Sequence, residues 1–145
     1  MTESTVAPGP REIFERLRRH LLENLGGFGS ELAEDAVIEV PFAPPGRAKR
    51  HEGKEAFLLF SGPEQAAFAR RFALDEIRNV VVHETADSEV IVVEYELAGR
   101  VLATGRQASS PFIGVLRVRD GKIVHWREYQ NTLAMIEIMG QSERA

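Results

Sequence analysis

The chain has 145 residues, which fits a single domain that buries roughly 68–70% of its unfolded surface. Its residues are 43% apolar and 28% charged, with a formal net charge of −4. This acidic excess argues against a nucleic-acid partner, because phosphate binding needs a concentrated basic face. Without a cysteine, the chain can form neither disulfides nor zinc–thiolate sites, and it has no cysteine nucleophile.

The first ten residues, MTESTVAPGP, are polar and contain proline and glycine. They lack the basic stretch and the apolar stretch of a signal peptide, and no apolar run approaches the ~18 residues that span a bilayer. We therefore expect a flexible leader over residues 1–10, one domain over 11–139 and a tail over 140–145. The expected location is the cytoplasm, with no membrane contact.

The first half of the domain has mainly helical patterns. Apolar residues recur at helical spacing over residues 10–25 and predict a helix that Gly26 and Gly27 end. Ser30 is expected to cap a short helical turn. The segments KEAFLLF and PEQAAFARRF predict two short helices with a break at residues 61–62, while TLAMIEIMG at the C-terminal end predicts a short helix or an extended tail.

Strand patterns dominate the second half. A first strand over residues 36–42 alternates Ile38, Val40 and Phe42 with polar or proline positions. Four later segments, LDEIRNVVVHE, EVIVVEYELAG, SSPFIGVLRVR and KIVHWREYQ, are separated by turn residues. This order predicts an α+β fold in which helices cover one face of a curved antiparallel sheet.

The hairpin at Asp120-Gly121 leaves two registers open, since a two-residue turn and a three-residue loop differ by one residue in their pairing. The three-residue loop separates apolar from mixed positions better. It places Glu128 on one face with the apolar residues Phe112, Gly114, Leu116, Val118, Val124 and Trp126. On the preceding strand, Tyr95 and Leu97 belong to the same inner face as Ile91 and Val93.

Glu128 is the exception on this apolar face. An ionised, unpaired carboxylate would be costly to bury, so Glu128 must be paired, hydrogen-bonded or protonated. One interpretation is an acid/base catalyst whose pKa is raised by desolvation. The other is a salt bridge to an arginine such as Arg16 or Arg71.

The stretches LAEDAVIEVPFAPPG, VVEYELAG and VLRVRDGKIVHWREYQN occur in an order that resembles the nuclear transport factor 2-like superfamily, and within it the SnoaL-like, ketosteroid isomerase-like group. The resemblance runs from Arg11 to about Met139. It implies a cone-shaped sheet around a hydrophobic pocket, closed by the N-terminal helices, and a homodimer. Relatives include steroid isomerases, polyketide cyclases, epoxide hydrolases and phenazine-pathway proteins, while other members only bind ligands.

The resemblance also bears on single residues. Glu128 matches an active-site aspartate of limonene epoxide hydrolase-like members and a glutamate of phenazine-type members. Tyr95 and Leu97 replace the further arginine and aspartate of the epoxide hydrolases, and Val40 replaces the base of the steroid isomerases. Phe60 takes the place of an assisting histidine in the phenazine type. The chain therefore lacks part of the residue set of each of these known reactions.

The sequence thus predicts acid/base chemistry without a cofactor or a metal on a small, largely apolar, cyclic or polyketide-like molecule, as an isomerase, dehydratase, cyclase or hydrolase. Glu128, Tyr95 and His51 are the expected catalytic residues. The expected substrate-binding residues are Val40, Phe42, Phe60, Leu97, Phe112 and Trp126. The alternative is a non-catalytic binding or dimerisation module with Glu128 in a structural salt bridge.

Overall fold

The computed structural model describes residues 6–23 and 28–143. Parts of the predicted leader and tail, and the predicted helix end at Gly26-Gly27, lie outside these ranges. The elements follow in the order α1 (Pro10–Glu23), a 3₁₀ turn (Phe28–Glu31), β1 (Leu32–Glu39), β2 (Arg50–Glu52), α2 (Lys54–Ala69), β3 (Phe72–Glu84), β4 (Val90–Val101), β5 (Gln107–Arg119), β6 (Lys122–Gln130) and α3 (Thr132–Glu143).

One six-stranded sheet organises the fold, with the strand order β2-β1-β6-β5-β4-β3. The predicted meander of four strands is present as β3 to β6, all antiparallel. The sheet is nevertheless mixed, because β1 runs parallel to β6. The prediction of a purely antiparallel sheet was wrong here. Between β1 and β6 the chain passes through α2 and the meander, a connection long enough for parallel pairing.

The helices α1 and α2 cover the inner face of the sheet, as the predicted α+β fold requires. The apolar stripe of α1 is buried through Ile13, Phe14 and Leu17. It meets inward residues of the strands in one core cluster, which includes Ile38, Ile77, Ile91, Val93, Tyr95, Phe112, Leu116 and Ile123. Irregular pairing at two places in β3 bends the strand that packs under α1.

The Asp120-Gly121 hairpin combines features of both predicted registers. Arg119 pairs with Lys122 across a two-residue turn, in which Asp120 and Gly121 have φ values of 52° and 75°. An irregularity then leaves one extra residue, Val124, in β6. Beyond it, Leu116 faces Trp126 and Gly114 faces Glu128, so the predicted inner face is confirmed for these residues.

The predicted position of Val124 in this hairpin was wrong. It was predicted on the inner face, but Ile123 is the fully buried residue there and pairs with Val118. Neither of the two predicted registers includes a bulge in β6 after a two-residue turn. Because it inserts one residue, it has the same effect on the register downstream as the longer loop.

Several predicted boundaries also differ. The segment from Lys54 to Ala69 is one helix with Pro63 inside it, although a break had been predicted. Ser30 lies within the 3₁₀ turn, so it caps no helix after it. The first strand ends at Glu39, before Val40 and Phe42, and Arg50–Glu52 form a further short strand, β2, that was not predicted. Residues 132–143 are helical.

No helix in residues 6–23 or 28–143 combines the length and the apolar character needed to cross a membrane.

Gly99 is required by a close approach of β3 to β4. A side chain there would overlap the carbonyl oxygen of Ala73 and come within 2.8 Å of the Phe72 ring. We predict that Gly99→Ala lowers the free energy of unfolding by about 1–3 kcal/mol, because the backbone of β3 must move to admit the methyl group. Urea unfolding measures this effect. Gly62→Ala is the control, since Gly62 lies inside α2 and its new methyl group meets nothing within 4 Å; an equal loss in both variants would contradict the prediction.

Candidate active site

A cavity of about 300 Å³ lies between the inner face of the sheet and the helices α1 and α2. This volume is at the lower end of the range for small-molecule sites. Its wall is mostly apolar and includes Phe14, Leu17, Leu21, Leu32, Ile38, Val40, Phe57, Phe60, Ile77, Leu97, Ile123 and Trp126. The polar residues of the lining are Arg18, Gln65, Tyr95 and Glu128.

Glu128 lies on this wall because of the register of β5 and β6. Its neighbour across the strands is Gly114, and Trp126 is the next inward residue of β6. A methyl group on Gly114 would lie 3.4 Å from the indole of Trp126. The absence of a side chain at this position therefore leaves space beside Trp126 and Glu128 on the inner face.

The hydroxyl of Tyr95 donates a hydrogen bond to Oε1 of Glu128. The ring of Tyr95 is packed between Phe14, with ring centroids 5.5 Å apart, and Phe112, which is stacked at 5.5 Å and 5°. Only 6% of Tyr95 is exposed. These contacts fix the ring, so the hydroxyl is held on the carboxylate by packing as well as by the hydrogen bond.

Burial dominates the electrostatics of this pair. Desolvation raises the pKa of Glu128 above its usual range, and the hydrogen bond from Tyr95 lowers it by less. Burial, together with the neighbouring carboxylate, raises the pKa of Tyr95 well above its ordinary value, so Tyr95 remains a donor. The arrangement is a carboxyl group that can exchange protons nearer to neutral pH than a solvated glutamate can.

The second carboxyl oxygen, Oε2 of Glu128, accepts no hydrogen bond from the described residues. It is also not among the fully buried polar atoms that lack a partner. Since Glu128 lines the cavity, Oε2 is the atom available to a bound molecule.

The salt-bridge interpretation of Glu128 finds no support in this geometry. Within residues 6–23 and 28–143, no ion pair involves Glu128, and no cation contributes to its pKa. Arg16, one of the arginines proposed for that role, lies 3.3 Å from Glu12 and 3.9 Å from Glu31. The same ranges contain no group of three His, Asp or Glu side chains placed to share a metal ion.

The predicted substrate-binding residues divide into three groups. Val40, Phe60, Leu97 and Trp126 line the cavity. Phe112 is buried and supports the ring of Tyr95 from behind, outside the lining. Phe42, predicted to bind the substrate, does not line this cavity. It is 57% exposed and packs edge-on against Tyr129, because β1 ends at Glu39 and the chain turns at residues 41–42.

His51 does not reach the cavity either. It belongs to β2, where its ring stacks on Phe60 with centroids 4.4 Å apart and contacts Phe57 edge-on. Its Nε2 is buried and has no hydrogen-bond partner in the part of the chain that the structure describes. Phe60 lines the cavity and His51 does not, so the position of His51 does not match the expected catalytic role.

Two polar residues of the lining, Arg18 and Gln65, were not anticipated. Arg18 lies one helical turn after Phe14, and Gln65 follows Pro63 in α2. Gln65 and Leu21 are both exposed, so the cavity opens between the second halves of α1 and α2. The helical period of α1 could have indicated Arg18, because this residue borders the apolar stripe of Phe14, Leu17 and Leu21.

The fold is thus a curved sheet with helices on one face, and a cavity with a mostly apolar wall and the carboxyl group of Glu128 lies between them. Residues 11–126 match the SnoaL-like domain family. The chain is 35% identical to the uncharacterized protein YesE of Bacillus subtilis over 132 residues, which are 90% of this chain and 87% of YesE. It is 32% identical to the uncharacterized PhzA/B-like protein PA3332 of Pseudomonas aeruginosa over 127 residues, 86% of each chain.

Among solved structures, the chain is similar to a Bacillus subtilis protein described provisionally as an isomerase. The TM-score is 0.78 at 30% identity, covering 90% of this chain and 91% of that one. The chain therefore belongs to the SnoaL-like domain family, as the sequence pattern had indicated.

The raised pKa of Glu128 makes stability depend on pH. The folded chain holds the Glu128 proton more tightly than the unfolded chain does, so stability falls as pH rises from about 4.5 through the folded-state pKa. We predict that Glu128→Gln is more stable than the wild type at pH 8, by on the order of 1 kcal/mol. The difference should vanish below pH 4.5, where the carboxyl group is protonated in both states.

Urea unfolding at pH 8 and at pH 4 measures this difference. Glu94→Gln is the matched control, since Glu94 is exposed and paired with His83 on the outer face. A Glu128→Gln variant that is less stable than the wild type at pH 8 would show that the carboxylate is favourably solvated in the fold.

Proposed function

We propose that this protein is an acid/base enzyme for a small, largely apolar molecule, with Glu128 as the group that removes and returns a proton. One observation carries the proposal: a desolvated carboxyl group lies on the wall of an apolar cavity, with Tyr95 as its hydrogen-bond partner and no cation from residues 6–23 or 28–143 beside it. A purely structural glutamate would not need a cavity in front of it.

The proposed chemistry starts with ionised Glu128. Its Oε2 accepts a proton from a substrate carbon next to a carbonyl group, and the electron pair of the C–H bond moves onto the carbonyl oxygen as an enolate. Return of the proton to another carbon gives an isomer. If a hydroxyl group on the β-carbon departs and takes the proton from Glu128, the products are water and a dehydrated ketone. If the enolate carbon instead attacks a second carbonyl group of the same molecule, the new C–C bond closes a ring and the proton from Glu128 goes to that carbonyl oxygen. The apolar wall keeps water away, which strengthens these electrostatic interactions.

Tyr95 acts on the same proton transfer. Its hydrogen bond stabilises the ionised form of Glu128 and so opposes the effect of burial on the pKa. When Glu128 gains a proton, the Oε1 atom becomes a poorer acceptor, and the hydroxyl of Tyr95 becomes available to the oxygen of the substrate. Tyr95 thereby keeps Glu128 acidic enough to remain partly ionised, and it orients the carboxyl group.

The pKa of Glu128 is the first test, measured by carbon-detected NMR titration with Glu128→Gln to assign the signal. We expect a pKa above the ordinary glutamate value in the wild type and a still higher one in Tyr95→Phe, which removes the donor but keeps the ring. Tyr129→Phe is the matched control, because Tyr129 is the other tyrosine of the chain and lies on the outer face. An ordinary or lowered pKa in the wild type would overturn the proposal.

Catalysis is tested without knowing the substrate by following deuterium exchange into compact cyclic ketones in D₂O by NMR. Loss of a general base lowers rates by about 10²- to 10⁴-fold, so exchange should fall by this factor in Glu128→Gln and stay unchanged in Glu94→Gln. The rate should rise with pH through the pKa of Glu128, with a midpoint at higher pH in Tyr95→Phe. Equal exchange in the wild type and Glu128→Gln would count against Glu128 as the base.

We also propose that two copies of the chain associate through the outer face of the sheet. On this face Val81 is 47% and Ile113 is 43% exposed, and the half-buried Val115 and Tyr129 lie beside Ile113. Ion pairs such as His83–Glu94 flank these apolar side chains. An apolar patch with a polar rim is typical of an interface.

Light scattering after gel filtration tests the association. We expect a dimer for the wild type and a monomer for Ile113→Lys, because a lysine ammonium would be desolvated in the interface. Leu59→Lys is the control, since Leu59 is 73% exposed on α2, away from the sheet face. A monomeric wild type at micromolar concentration would remove the proposal.

A further inference from the structure

Arg18 gives the cavity a positively charged end. It is the one cation in the lining formed by the described residues, and Glu128 is the one carboxyl group there. The two do not pair, since the causes of the raised pKa of Glu128 are burial and Tyr95 alone. An apolar cavity with a carboxyl group and a separate guanidinium favours a ligand with two different ends.

The position of the Arg18 guanidinium is fixed by a neutral partner. Its Nε and Nη2 donate to the carbonyl oxygen of Ile77 at 3.0 and 2.6 Å. The remaining Nη1 lies 3.6 Å from Glu15, a carboxylate whose side chain is 51% exposed and therefore well screened by water. The side chain of Arg18 itself is 33% exposed. Its charge is thus oriented by the backbone and only weakly neutralised.

The separation between Arg18 and the Tyr95–Glu128 pair follows from the rise per residue along α1 and along β4. On α1, Arg18 lies four residues after Phe14, the ring that packs on Tyr95, which is about 6 Å along the helix. On β4, Leu97 pairs with Ile77, the residue that holds Arg18, and lies two residues from Tyr95, which is about 7 Å along the strand. Both measures place the cationic end about one ring length from the Tyr95–Glu128 pair.

We propose that the ligand of this cavity is a compact ring molecule that carries an acidic group, bound by Arg18 at the mouth while its other end faces Glu128. The orientation toward Glu128 rests on the proposed function, whereas the recognition of the acidic group rests on Arg18. The reverse orientation is unfavourable, because it would bring two carboxylates together in an apolar space. Arg18 is therefore a specificity-determining residue.

The test compares a carboxylate with its neutral amide of nearly the same shape, 2-naphthoate and 2-naphthamide. Trp126 is the single tryptophan of the chain and lines the cavity, so its indole N–H signal in ¹⁵N NMR reports binding of either probe. We expect the wild type to bind 2-naphthoate about tenfold more tightly than 2-naphthamide, as a charge-assisted hydrogen bond would give. Arg18→Gln should lose this preference and bind the amide as before.

Two further variants separate charge recognition from folding. Arg19→Gln removes an exposed positive charge at the next position of α1 and should keep the preference. Glu15→Gln removes the carboxylate nearest to Arg18 from an exposed position and should strengthen 2-naphthoate binding a few-fold, with no effect on 2-naphthamide. If Arg18→Gln does not fold, the affinity of Glu15→Gln for 2-naphthoate tests the role of Arg18, and an unchanged affinity contradicts that role.

Equal affinities of the wild type for the two probes, a preference that survives in Arg18→Gln, or no response of Trp126 to either probe would each overturn the inference. The role of Glu128 is judged separately by its pKa. An ordinary pKa of Glu128 combined with an Arg18-dependent preference for 2-naphthoate would remove the proposed enzyme and leave an acidic-ligand binder.

Discussion

The hydrogen bond between Tyr95 and Glu128 is the interaction on which the proposed chemistry depends, and it exists because the surrounding core is apolar. Water would compete for both groups in an open site, and the carboxyl group would then have an ordinary pKa. Here Phe14 and Phe112 hold the ring of Tyr95, and burial raises the pKa of Glu128. The packing that stabilises the fold also sets the proton affinity of the carboxyl group on the cavity wall.

That packing depends on a single inserted residue in β6. Without the irregularity at Val124, the two-residue turn would pair Arg117 with Val124 and place it on the same face as Trp126, and the alternation of the whole β5–β6 ladder would shift. With the insertion, Arg117 pairs with Asp87 and Glu89 outside, and Glu128 lies inside. The polarity of the cavity wall is therefore decided by the geometry of the hairpin several residues away.

The wall of the cavity differs from the sites that the resemblance implies for other members of the family. The chain belongs to the SnoaL-like domain family, yet Val40, Leu97 and Phe60 occupy positions at which the resemblance places polar catalytic residues of other members. In this chain all three are part of an apolar wall. The polar groups that remain are few and lie at two ends, Tyr95 and Glu128 inside and Arg18 with Gln65 toward the opening.

The sequence by itself determined most of the elements and most of the inner face, because side-chain alternation in strands and the 3.6-residue period in helices are local properties. It predicted the meander, the apolar face of β4 and the exceptional position of Glu128. Only the tertiary structure decided which side chains contact one another at the cavity. The hydrogen bond from Tyr95 joins residues 33 positions apart, and the mouth residues Arg18 and Gln65 come from separate helices.

The wrong predictions have the same cause. Phe42 follows β1 and His51 lies within β2, and the bounds of both strands depend on pairing with distant segments. Local alternation therefore could not show that β1 stops at Glu39 or that residues 50–52 join the sheet. The parallel pairing of β1 with β6 likewise links segments separated by most of the chain. Local pattern fixed which residues are apolar and which face they share, and long-range pairing fixed which of them meet at the cavity.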